Sequence, residues 1–191
     1  MEDALRSDRP FQPLRPPPRP IEAADIFYLL EAGLLHQDAR FELLDGKVVP
    51  LRPKSAAHEG VRLDLIRYLA RPWARKFDFI AVHTPTIDEL TILEPDFLLF
   101  KRTVKFGKAP LNGSDVHLLI EVAEGTAQYE LEQKSKKYAS FGVAEYWVIE
   151  ADTRRTHVHR KASREIWHSR DVVPAGKPLA PLCAPKAVLK L

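Results

Sequence analysis

Two apolar runs, Pro95-Asp-Phe-Leu-Leu-Phe100 and Val116-His-Leu-Leu-Ile-Glu-Val-Ala123, constrain this chain more than any other feature. A strand covered on one face alternates apolar and polar residues. Continuous apolarity over five to eight residues, bounded by polar loops, marks strands covered on both faces, and therefore a sheet with a layer on either side. Each run has hardly any polar residue apart from one acid, Asp96 in the first and Glu121 in the second. An ionised carboxylate in such a place costs several kcal/mol unless it is paired or bound to a metal. Either a turn and a cross-sheet lysine or arginine satisfy these acids, or a cation does.

The segments around the two runs supply the remaining layers. Residues 1–20 hold Pro10, Pro13, Pro16, Pro17, Pro18 and Pro20, which favour extended chain over helix or sheet, so a flexible tail is predicted there. Ala23 to Gly33 has helical apolar spacing. Phe41 to Leu51 reads as two strands around Asp45-Gly46, the dipeptide that best tolerates a tight hairpin turn. Val61, Leu65, Ile66, Leu69 and Trp73 recur at helical spacing between Ala57 and Lys76, leaving Arg62, Asp64 and Arg67 exposed, with Pro72 as a kink or stop. Phe77 to Ile87 alternates as a strand. A helix from Ala127 to Ser140, capped by Thr126 and stopped at Gly142, is followed by strands at Glu145–Glu150, at Thr156–Arg160 and near Ile166, and then a proline-punctuated tail. This order predicts a mixed sheet flanked by helices, of α/β or α+β class, in one domain spanning residues 21–191.

Composition narrows the function. With 45% hydrophobic and 29% charged residues the chain is expected to be globular throughout. The one cysteine, Cys183, allows no internal disulfide and no thiol zinc site. The start resembles neither a leader peptide nor a membrane span, so a soluble cytoplasmic protein is expected. A formal charge of +3 is only a weak pointer to polyanions. Phosphate-loop, dinucleotide, nucleophile-elbow and His-Glu-x-x-His motifs are missing, and His83, His117, His157 and His159 form no metal-binding spacing.

The helix after Glu121 offers Lys134, Lys136 and Lys137. At about 100° per residue, Lys134 falls within the apolar arc of Leu131, Tyr138 and Phe141, Lys137 on its border and Lys136 outside it. A lysine on a buried stripe snorkels or meets an anion, here Glu121 or a phosphate; an i, i+4 surface pair with Glu130 is the plainer alternative. Glu42 points opposite to Phe41 and Leu43, which suggests exposure. His58, heading the long helix, reads as a surface or capping histidine.

Phe41-Glu-Leu-Leu-Asp-Gly46, His58 at a helix head, Glu94-Pro-Asp-Phe-Leu-Leu-Phe100, Leu119-Ile-Glu-Val-Ala-Glu124, Glu130 with Lys134 and Tyr138, and Gly142-Val-Ala-Glu-Tyr-Trp-Val-Ile-Glu150 together resemble the Uma-two family, whose members are described as restriction-endonuclease-like proteins of the PD-(D/E)xK class. The resemblance runs from about Ile21 to Leu182 and implies a restriction-endonuclease-like sheet core. In it Asp96 and Glu121 bind Mg²⁺ or Mn²⁺ and Glu42 lends a further carboxylate. The class places a lysine two residues after the second acid. That position is Ala123 here, and Lys134 stands at the place to which the family moves the lysine. Glu130 and Glu150 replace the family's usual aspartates, with longer side chains at the same charge.

What the resemblance implies is metal-dependent hydrolysis of phosphodiester bonds, in DNA rather than RNA by class analogy, by an enzyme that works without a membrane. The class also suggests a homodimer, for which the strand Glu145–Glu150 and the aromatic Trp147 or Trp167 are candidate surfaces. The alternative is a nuclease-fold module that binds nucleic acid or regulates without turnover. An acid/base hydrolase of a neutral substrate using the same two carboxylates ranks below both.

Overall fold

A computed structural model of the chain describes residues 19–36, 38–81, 85–104, 111–125 and 127–191. The prolines up to Pro18, His83 and the expected cap Thr126 lie outside the described residues. Helix α1 (Ala23–Glu31) leads into the hairpin of β1 (Phe41–Leu44) and β2 (Lys47–Pro50). Its turn places Asp45 at φ 50° and Gly46 at φ 73°, the conformation for which that dipeptide was singled out.

Ser55 caps α2 (Ala56–Leu69), its side chain accepting a hydrogen bond from the His58 backbone N–H. The expected continuation to Lys76 does not form. Arg71, preceding Pro72, is held extended, and a separate 3₁₀ turn covers Pro72–Lys76. The predicted strand from Phe77 to Ile87 is two strands in different sheets, β3 (Phe77–Ala81) and β4 (Thr86–Asp88), which is followed by the short β5 (Thr91–Ile92).

The apolar runs become β6 (Phe97–Lys101) and β7 (Val116–Ala123). A helix that begins with π geometry at Tyr129–Lys134 and continues as α3 (Ser135–Phe141) crosses over to β8 (Glu145–Glu150), which lies parallel to β7. Gly142, at φ 90°, ends that helix in the left-handed region. The long antiparallel pair β9 (Thr156–Ser163) and β10 (Ile166–Val173) completes the elements.

Two sheets result, a six-stranded one in the order β10-β9-β8-β7-β6-β3 and a four-stranded one in the order β2-β1-β5-β4. The chain therefore has the expected mixed sheet flanked by helices, together with a second small sheet that the element order did not announce. On one face of the large sheet, Val61, Leu65 and Leu69 of α2 pack on Phe97, Leu99, Leu118 and Ile120. On the other, Tyr138 and Ala139 of α3 meet Leu98, Leu119, Tyr146 and Val148, and Leu44 and Leu93 bring the small sheet onto the same cluster. Both faces of β6 and β7 are thus covered, as their continuous apolarity required.

Three expectations are corrected by this packing. Ile66 is 40% exposed, and the helix face it was assigned to is completed by the buried Tyr68. Trp147 and Trp167, proposed as exposed interface aromatics, are both core residues. The proline-punctuated end is no loose tail: Leu179 bridges to Leu189, both join the cluster under α2, and the Tyr68 hydroxyl donates to the Ala187 carbonyl.

His159 packs its buried ring against Tyr146 and Trp167. Burial, reinforced by the positive charge of Arg170, pulls its pKa down to about 4. Above about pH 6.5 the ring is neutral in both folded and unfolded chain and has no effect. As the pH falls from there towards 4 only the unfolded chain takes up the proton, so stability drops, by up to about 3 kcal/mol. Urea midpoints between pH 7 and 4.5 should fall less steeply in His159→Phe than in the unsubstituted protein; equal slopes would refute the assignment.

Candidate active site

Phe97 pairs with Ile120 and Leu98 with Leu119 across β6 and β7. Carrying that antiparallel register one step further sets Asp96 across from Glu121. The two apolar runs thus bring their single acids together, at the floor of a cleft of about 440 Å³ that both residues line with Lys54, His58, Glu130 and Lys134.

Asp96 is 3% exposed. Its Oδ2 accepts from the Val122 backbone N–H at 2.8 Å and lies 3.2 Å from His58 Nε2, while Oδ1 is 2.6 Å from Lys54 Nζ. Burial works against the charged form, yet the His58 hydrogen bond and the charge of Lys54 outweigh it and hold the carboxyl down at about 2. Asp96 is an anion at any working pH.

Glu121 shares its face of β7 with Leu119 and Ala123 and looks towards the crossover helix. Its Oε1 accepts from Tyr138 Oη at 2.7 Å and from Lys134 Nζ at 3.0 Å. The same ammonium lies 2.7 Å from Glu42 Oε1. Glu42 also accepts from the Glu94 backbone N–H at 2.8 Å and from Tyr129 Oη at 3.2 Å. Lys134 is where the helical phase put it, on the buried stripe and facing an anion, with Lys136 exposed and Lys137 half-buried. The surface pair with Glu130 is not its partner.

The π geometry has a local consequence. Its i→i+5 spacing stacks Tyr129 beneath Lys134, whose Nζ sits 5.4 Å from the Tyr129 ring centroid, so both residues reach Glu42 together. Glu42 itself is fully buried, contrary to the exposure that strand alternation suggested, because the crossover helix covers the face of β1 that alternation leaves for solvent.

One ammonium cannot offset two buried carboxylates, so ionising both is costly. Burial pushes the Glu121 carboxyl above its ordinary range, with Lys134 opposing and Glu42 and Asp96 adding to the rise. Glu145 shows the contrast. It is equally buried, but Arg160, the Trp147 indole N–H and the Leu182 backbone N–H donate to both its oxygens. Among the described residues Glu121 Oε2 accepts no such bond.

Lys54, in the loop before α2, escaped the sequence reading and had no signal. His58, read there as a surface or capping histidine, is instead buried at 4% exposure: it precedes Val61 by three and Leu65 by seven, so it lies on the buried stripe of α2. Arg62, one turn on and expected in solvent, is half-buried with Nε 3.6 Å from Asp96 Oδ1.

The donor set fits a hard divalent cation with few protein ligands. Among the described residues no three His, Cys, Asp or Glu side chains gather as a metal cluster. Two facing carboxylates, one with an uncommitted oxygen, match the way Mg²⁺ is often held, by one or two carboxylates with water and substrate oxygens completing the shell. All-oxygen donors suit Mg²⁺ or Mn²⁺ better than zinc.

A profile described as "Putative restriction endonuclease", that of the Uma2 family, matches residues 24–191. The chain belongs to the Uma2 family. No curated protein matches it. Among solved structures it is similar to a "putative nuclease belonging to DUF820" from Anabaena variabilis ATCC 29413, with a TM-score of 0.64 and 14% identity over 84% of this chain and 92% of that one. At that identity the likeness is one of fold. No helix among the described residues is long and apolar enough to cross a membrane.

Lys134→Met in this Uma2 protein removes the only ammonium within reach of Glu42 and Glu121 among the described residues. The expected loss of stability is about 3–5 kcal/mol, the usual consequence of stripping one partner from a buried ion pair. Lys137→Met, at a partly exposed pair with Asp45 and Asp88, should cost under about 1 kcal/mol. Urea denaturation of the two variants side by side checks this; similar midpoints would show that the Lys134 cluster is not under electrostatic load.

Proposed function

We propose that the protein is a metal-dependent endonuclease that hydrolyses phosphodiester bonds of DNA. The observation that carries this reading is that Asp96, just ahead of β6, and Glu121 on β7 line one cleft, whose rim bears Arg40, Arg52 and Lys54. DNA is preferred to RNA because the family description names restriction endonucleases.

In this reading Asp96 and Glu121 hold the cation, which supplies an activated water at neutral pH and offsets charge building on the scissile phosphate. His58, with its proton on Nε2, and the Val122 N–H fix the direction of Asp96. Lys134 and Tyr138 fix Glu121, and Glu42 fixes Lys134 in turn. Two of the three ammonium donors of Lys134 are committed to carboxyl groups, so its part is to position Glu121 and to oppose the rise that burial imposes on its pKa. The basic rim draws the phosphate backbone into the cleft.

One observation favours a second reading, a nuclease-fold module that binds nucleic acid without cutting it. Ala123 stands where the class has its lysine, and both acids already face an ammonium.

Incubating the protein with plasmid DNA in Mg²⁺ or Mn²⁺ separates the two. Nicking or linearisation is expected, abolished by EDTA and lowered at least about 100-fold in Asp96→Asn and Glu121→Gln variants that keep the circular dichroism of the parent. DNA retention with no cleavage in any divalent metal would establish the binding module. Hydrolysis of a neutral substrate that persists in EDTA would point to acid/base chemistry on the same carboxylates.

A further inference from the structure

We propose that Lys54 is a resident counter-ion of Asp96 which an incoming divalent cation displaces, and that the displaced ammonium then becomes the site's contact with a substrate phosphate. This rests on the reading of Asp96 as a cation ligand.

The two oxygens of Asp96 are differently engaged. Oδ2 is committed to the Val122 N–H and to His58 Nε2, both on rigid elements. Oδ1 is the oxygen left for a cation, and Lys54 Nζ sits on it at 2.6 Å. Arg62 Nε already lies 3.6 Å from the same oxygen, and a divalent cation added beside both would repel the closer and freer ammonium most strongly, so Lys54 leaves.

The two lysines of the cleft differ in how free they are to do so. Lys134 is 4% exposed and clamped by Glu42, Glu121 and the Tyr129 ring. Lys54 extends from the loop between β2 and α2, its side chain is 17% exposed, and Asp96 is its one ion-pair partner among the described residues. It has somewhere to go. Beside the cleft lies a second hollow of about 380 Å³, and Lys54 lines both of them, as do Arg40 and Glu94. A flexible stem carrying a point charge suits such a swing, where a planar guanidinium locked to one carboxylate would not. Arg62 could not substitute for it: Nη1 is tied to Glu59 at 3.0 Å and the guanidinium lies over the Phe97 ring.

The geometry therefore divides the labour that a single lysine performs elsewhere in the class. Lys134 stays and holds Glu121. Lys54 moves, guarding Asp96 in the ion-free protein and meeting phosphate in the loaded one.

Isothermal titration of Mn²⁺ into the full-length protein tests the exchange, using the parent, Lys54→Met, Lys54→Gln and Asp96→Asn, with thermal unfolding to confirm that each variant is folded. Both Lys54 variants should bind Mn²⁺ about tenfold more tightly than the parent, and Asp96→Asn should bind it more weakly. Retention of a DNA duplex in Ca²⁺ should weaken in the Lys54 variants, with a log–log salt slope shallower by about one. Asp96-dependent Mn²⁺ binding that is unchanged or weaker in both Lys54 variants would overturn the displacement while leaving the cation site standing. An unaltered salt slope would overturn the phosphate contact. No Mn²⁺ binding in the parent or in either Lys54 variant would overturn this proposal and the ion-binding reading together.

Discussion

A single buried ammonium organises this protein. Lys134 lies between Glu42 on β1 and Glu121 on β7, within 2.7 and 3.0 Å of their oxygens, and so joins the small sheet to the large one through the crossover helix. Burial by itself would lower the pKa of that ammonium, but the two carboxylates raise it above its ordinary value, so it stays charged. The converse holds for the acids. Glu42 and Glu121 survive in an apolar interior because Lys134, Tyr129 and Tyr138 point donors at them. Each partner makes the burial of the others tolerable, and three separate elements are thereby held in one arrangement.

The cluster has fewer cationic donors than acidic groups. Two carboxyl groups share one lysine, and Asp96, in the same cleft as Glu121, has a lysine of its own. Structural acids in the same fold look different. Glu145 meets an arginine, an indole and a backbone N–H, and Glu150 meets Arg155, Thr153 and His157, which hold its carboxyl down at about 2 despite its partial burial. Those acids have nothing left over. Glu121 lines the cleft and keeps an oxygen that accepts no hydrogen bond among the described residues, while burial raises its pKa. A buried polar cluster left partly satisfied in an otherwise well-packed fold is where function is expected, since packing alone would favour its removal.

How much of this was legible depended on whether the signal was local. The apolar runs predicted β6 and β7 almost to the residue, because covering both faces of a strand leaves no polar alternation to misread. Asp45-Gly46 announced its turn through backbone strain, and the phase of Lys134 on its helix survived even though the helix opens with π geometry. The failures share a cause. Phe77 to Ile87 kept one alternating pattern while its two ends joined different sheets, since alternation reports a half-covered strand and not its neighbours. Trp147 and Trp167 looked like surface aromatics because nothing local records that the C-terminal segment joins the cluster around Trp147 or that the Trp167 indole donates to the Ser135 carbonyl at the start of α3. Glu42 obeyed strand alternation, but the face assigned to solvent was occupied by a helix contributed by residues about ninety positions later.

By itself, then, the sequence determined the two central strand cores, the Asp45-Gly46 turn, the stop at Gly142 and the presence of two acids that an apolar interior could not hold unaided; each follows from side-chain chemistry within a few residues. Tertiary structure alone decided that those acids face one another, that Lys54 and His58 converge on Asp96, and that Lys134 is divided between Glu42 and Glu121. Charges in a low-dielectric interior act over distances set by packing, and the separations that make them a site are between residues far apart in the chain.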